Sequence, residues 1–111
     1  MSNILTMTVE RNFIERMNLA YGLIILIDLA EAFYEQGICL SVISIKHDLP
    51  LAKLEPIAAR LEEAGLLGRH PKNQNKLILK KEPEGRWIFE IIPVLKNVFD
   101  TKQVPLNTYA T

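Results

Sequence analysis

The apolar and polar positions of the chain first follow a helical period. From Val9 or Glu10 to about Gln36 the spacing predicts one long helix, which Gly37 stops. Within it the run LAYGLIILIDLAEAFY (Leu19–Tyr34) is apolar on almost every side and predicts a deeply buried helix. At about 100° per residue, Arg11, Glu15, Asn18 and Gly22 share one stripe, and Asp28, Glu31 and Glu35 share another. The two halves of the helix are therefore expected to turn different faces to solvent. A helix this apolar needs cover on more than one side. In a chain of 111 residues, a second copy is the expected cover, with Phe13, Met17, Ile24, Trp87 and Phe89 as candidate dimer contacts.

The pattern then shortens. A second helix is predicted at Leu40–His47, with Leu40, Ile43 and His47 along one face. HDLP makes a turn, with Asp48 and Pro50 as turn and helix-start residues. In a third helix, Leu51–Ala64, the positions Leu54, Ile57, Ala58 and Leu61 give the core spacing, Lys53, Arg60 and Glu63 lie outside, and Gly65 ends it. LLGRH and NKLILKK read as two strands joined by the turn PKNQN. After the loop EPEG, RWIFEIIPVLKNVF reads as a fourth helix with Trp87, Ile88, Ile91 and Leu95 inward, and Pro93 is expected to kink or break it. Three helices, a hairpin and a further helix make a mainly helical α+β chain of winged helix-turn-helix order. Residues 1–100 are expected to form one domain with an extended N-terminal helix, and residues 101–111 a loose tail.

Charge adds one feature. There are 13 basic and 13 acidic side chains, so net charge supplies no bulk attraction to nucleic acid or membrane. Yet Arg69, Lys72, Lys76, Lys80 and Lys81 fall in residues 69–81 with no acid among them, and the other eight basic side chains face all thirteen acids. A basic strip on the hairpin is the footprint of a phosphate-binding wing. The competing explanation is a solvated hairpin whose lysines keep an edge strand from pairing.

Other chemistry is sparse. Cys39 is the single cysteine, so no internal disulfide or thiolate cluster can form, which fits a reducing cytoplasm. It reads as a half-buried small residue. No membrane span or signal peptide is expected: the apolar run is short and carries Asp28 and Glu31. His47 and His70 lack Cys or His partners at ligand spacing, so no metal or other cofactor is expected. His47 reads as a helix-end residue, and a protonated His70 would add charge to the wing. No nucleophile triad, phosphate-binding glycine loop or H-E-x-x-H motif is present, and an enzyme is not expected.

Several of these stretches also carry a resemblance. YGLIILIDLA (Tyr21–Ala30), ICLSVISIKHDLP (Ile38–Pro50) and LEPIAARLEEAGLL (Leu54–Leu67) follow one another without a gap in the spacing of the IscR-type winged-helix regulators, the Rrf-two family. EPEGRWIFEIIPVL (Glu82–Leu95) resembles a later helix of that family. The resemblance implies a dimeric, DNA-binding transcriptional regulator whose third helix enters the major groove. Lys53, Glu55 and Arg60 would then face bases, Glu55 matching the family's base-reading glutamate, while Arg69, His70, Lys72 and Lys76 would lie on the wing. The sequence departs from the family where it would touch DNA. MNLAY (Met17–Tyr21) carries no charge where the family has a basic phosphate contact. Lys53 replaces a tyrosine, Pro56 replaces a glutamine inside the helix, and PKNQNKL replaces a glycine-rich wing. The three cluster cysteines and the long dimerisation helix are missing, so an iron–sulfur sensor is not implied. The N-terminal extension Ile4–Arg16 is an alternative source of dimer contact. Two functions follow: a dimeric transcriptional regulator that binds double-stranded DNA, or a winged-helix protein-interaction module that has lost DNA binding. An exposed apolar patch on the first or fourth helix would mark the second.

Overall fold

The computed structural model describes residues 3–100, with side chains for Glu10 and residues 12–100. The tail expected at 101–111 lies outside the described residues. The elements in order are α1 (Asn3–Glu31), a 3-10 turn (Phe33–Glu35), β1 (Ile38–Cys39), α2 (Leu40–His47), α3 (Leu51–Glu63), β2 (Leu67–Arg69), β3 (Lys76–Leu79) and α4 (Trp87–Val98). The sheet is antiparallel, with strand order β1-β3-β2.

The first helix differs from its expected bounds at both ends. It begins at Asn3 rather than near Val9, and its α-helical part ends at Glu31 rather than Gln36. The chain leaves it through the 3-10 turn, with Gln36 and Gly37 both at positive φ, +66° and +95°, and the Gly37 N–H donating to the Ala32 carbonyl at 3.1 Å. This double left-handed step sends the chain into β1, a strand that the hydrophobic pattern did not reveal. β1 has two residues and pairs Ile38 with Leu77 and Cys39 with Lys76. So short a segment shows no period of its own. The sheet therefore has three strands, where a two-stranded hairpin was expected.

α2, α3 and the turn between them are as predicted. The Pro50 carbonyl accepts the N–H groups of Lys53 and Leu54, which starts α3 at Leu51. Gly65 at φ +79° ends α3: its N–H reaches the Glu62 carbonyl, and the Leu66 N–H reaches that of Leu61, both at 3.0 Å. This is the paired-bond C-cap that favours glycine. Pro56 and Pro93 both sit inside continuous helices, so Pro93 does not break α4. Each proline still deletes one ladder bond.

One core joins all the layers. Ile25, Leu26 and Leu29 of α1 meet Ile43 of α2, Leu54, Ile57, Ala58 and Leu61 of α3, Leu67, Leu77 and Leu79 of the sheet, and Ile91, Leu95 and Phe99 from α4 onward. Gly22, expected on a polar stripe, is instead buried where α4 crosses α1, and a Cβ there would meet the Phe99 ring at 3.0 Å. Asp28, expected in a solvent stripe, is only 3% exposed. It accepts from His47 Nε2 at 2.8 Å and from Lys46 Nζ at 3.3 Å, which latches α2 to α1. Lys46 also reaches Glu31 at 3.3 Å, and hydrogen bonds from Glu31 and Asp28 hold its ammonium above the ordinary lysine range. With Asp28 and Gly22 turned inward, α1 presents one outward face rather than two. The run Leu19–Tyr34 is not buried throughout, since Ile27 and Tyr34 are exposed.

Candidate nucleic-acid interface

The hairpin β2–β3 is the wing. Its six-residue connection, 70–75, is tied internally. The His70 N–H donates to the Lys76 carbonyl at 2.9 Å, the Lys76 N–H to the Asn73 carbonyl at 2.9 Å, and the Asn75 N–H to Asn73 Oδ1 at 3.1 Å. Asparagine favours such local turns because its short amide can imitate a backbone carbonyl.

Two of the expected DNA-binding residues serve as struts of this hairpin. Arg69 donates from Nε to Glu62 Oε1 at 3.2 Å and from Nη1 to the Gln74 carbonyl at 3.0 Å, joining the wing to the end of α3. His70 Nδ1 accepts the Lys72 N–H at 3.0 Å, and its Nε2 donates to Gln36 Oε1 at 3.0 Å. Protonating His70 would break the Nδ1 bond, so this ring is placed to hold the wing turn rather than to charge it. Glu62 and Gln36 complete these struts, and sequence reading did not single them out. Their partners are 7 and 34 residues away, and no local spacing announces such pairs.

Lys72 and Lys76 differ. Lys72 is exposed on the turn, Lys76 half-exposed on β3, and neither ammonium is in an ion pair among the described residues. They are the wing cations available to a phosphate.

The third helix offers less. Opposite its core positions, its outward ridge carries Ala52, Glu55, Pro56, Ala59 and Glu63, all exposed, with two acids and no base. Lys53 and Arg60 lie on the flank toward α1, where they line a groove of about 450 Å³ with Met17, Tyr21 and Phe99. Arg60 donates to the Val98 carbonyl, and its guanidinium sits 5.6 Å from the Phe99 ring centroid. Glu55 and Arg69 line a second groove of about 570 Å³ between α3, the start of α2 and the wing, which also includes Cys39 and Ser41. The expected base-reading trio Lys53, Glu55 and Arg60 is thus divided between two flanks.

The dimer candidates also divide. Phe13, Met17 and Ile24 share the outward side of α1. Trp87 packs half-buried on the core from α4, whereas Phe89, expected to anchor that helix, is 70% exposed. Among the described residues no group of three or more His, Cys, Asp and Glu side chains is placed to hold a metal ion, and no helix is long and apolar enough to cross a membrane.

Elements and connections together define a winged helix with a long first helix. Solved structures of the same architecture include CymR, the global cysteine regulator of B. subtilis, at TM-score 0.55 and 22% identity over 76% of this chain and 87% of that one. They also include IscR of T. potens, at TM-score 0.56 and 25% identity over 78% of this chain and 83% of that one. Both are Rrf-two family winged-helix regulators, so the resemblance carried by Tyr21–Leu67 is matched in three dimensions. No protein-family model matches the chain, and no curated protein matches it.

Proposed function

We propose that this protein is a winged-helix transcriptional regulator that works as a homodimer and holds duplex DNA by its wing. The observation that carries the reading is the pair Lys72 and Lys76, uncommitted cations on a hairpin braced by Arg69 and His70. A braced hairpin loses little freedom when it meets a phosphate backbone. The acidic and apolar ridge of α3 argues for weak base discrimination, since major-groove readout favours arginine, lysine, asparagine or glutamine at base edges. DNA contact would therefore be mostly to the backbone, steeply salt-dependent and modest in specificity.

The test is fluorescence anisotropy with a labelled mixed-sequence duplex across a salt series. Lys72→Ala/Lys76→Ala should weaken binding on every duplex tested and lower the slope of log K against log salt by about 2, one unit per lost phosphate contact. An unchanged slope would remove the wing from the interface.

A second reading rests on the other exposed surface. Val42, Ile45 and Leu51 are exposed on and beside α2, with Ile45 at 81%, next to the uncharged part of the α3 ridge. This apolar surface suits a protein partner better than a phosphate backbone. Absence of DNA binding even at low salt would favour this interaction-module reading.

A further inference from the structure

The outward face of α1 is built wrongly for water. Phe13, Met17, Ala20, Ile24 and Ile27 follow one another at intervals of four, three, four and three residues, and Phe13 and Ile27 are 62% and 41% exposed. On a helix that packs its opposite side into a core, this face should be polar. Between Met17 and Ile27 it carries no charged or hydrogen-bonding side chain, since Leu23 also lies beside the stripe. The alternating four-three spacing is the seam of a two-helix coiled coil, so the occupant it fits is another helix.

We infer that this occupant is α1 of a second copy, packed antiparallel. An antiparallel two-fold pairs each position of the seam with a position of the other kind on its mate. With the axis near Gly22, Ala20 of one copy faces Ile24 of the other, Met17 faces Ile27, and the two Leu23 side chains meet beside the axis. Each central layer then sets a small residue against a large one, the alternation that fills space without voids. A parallel pairing would instead stack Ala20 on Ala20 between two layers of bulky pairs and leave a gap. No charge on this stretch calls for a partner of opposite sign. A two-fold also repeats every contact, so one modest stripe is used twice.

This inference deepens the homodimer part of the proposed function. Its test reads mass and cross-linking rather than DNA, so the seam and the wing fail separately. Sedimentation velocity of the full chain over a concentration series should show a dimer. Ile27→Glu, which places a carboxylate in two layers at once, should shift it to monomer with an unchanged far-UV circular dichroism spectrum. Ile27→Ala, a milder change at the same exposed position, should weaken dimerisation by roughly tenfold or more. For orientation, Ala20→Cys and Ile24→Cys chains, each with Cys39→Ser, should form a mixed disulfide when combined under oxidation, and little when oxidised alone. A wild type that stays monomeric would overturn the seam and leave the stripe to a different protein. A dimer that persists in Ile27→Glu would place the interface elsewhere, and efficient cross-linking of Ala20→Cys with itself would overturn the antiparallel arrangement.

Discussion

Asp28 shows how one side chain can join two helices. Its carboxylate is buried, but its partners Lys46 and His47 reach it from the surface end of α2. The cost of breaking this latch depends on which side is removed. Asp28→Asn keeps a polar group in place and leaves two cationic or polar side chains free to hydrate, so the loss should be about 1–2 kcal/mol, the range of a hydrogen bond to a charged group. Lys46→Ala/His47→Ala leaves the carboxylate buried without a partner and should cost roughly 3 kcal/mol, the low end for an orphaned charge because water can enter the space vacated. Urea unfolding of both variants checks the order. A larger loss for Asp28→Asn would mean that the latch contributes something other than charge compensation.

Among the connections between elements, Gly37 and Gly65 make a matched comparison. Both hold positive φ, +95° and +79°. A Cβ on Gly37 would sit 2.2 Å from the Leu77 carbonyl oxygen, whereas one on Gly65 would meet nothing within 4 Å. Gly65→Ala should therefore cost only the left-handed conformational term, about 1 kcal/mol. Gly37→Ala adds a backbone clash that can be relieved only by parting β1 from β3, and it should cost roughly 3 kcal/mol. Thermal unfolding of the two variants tests this, and equal losses would show that β1 is dispensable. The same strand explains why the wing stays in place: Gln36, one residue before Gly37, holds His70 from the turn side.

For the assembled molecule, the long first helix couples folding to association. Its inner side supplies Ile25, Leu26 and Leu29 to the core, and its outer side supplies the seam. Anything that binds only the folded state raises its stability by mass action, and a second copy is such a ligand. The midpoint of thermal unfolding should rise with protein concentration for the wild type and become independent of it in Ile27→Glu. A midpoint independent of concentration in the wild type would mean that the seam contributes nothing to stability. Charge is also divided across the molecule. Arg60 and Arg69 are spent on internal contacts, so the surface left for a polyanion is narrower than the basic count of residues 69–81 suggests.

Periodicity by itself determined the helices α2, α3 and α4, the four core positions of α3, and the stops at Gly37 and Gly65. These depend on local spacing and on backbone conformations that glycine favours, both of which can be read from neighbouring residues. The order of elements determined the winged helix in the same way. Only the tertiary structure decided where Asp28 and Gly22 would point, because a polar or small residue on a helix is buried or exposed according to what another element brings against it. It alone also decided that Arg60, Arg69 and His70 act as struts while Lys72 and Lys76 remain available. A basic side chain has the same formal charge whether it faces a phosphate or an internal carboxylate, and partners such as Gln36 and Val98 lie too far along the chain for any local pattern to announce them.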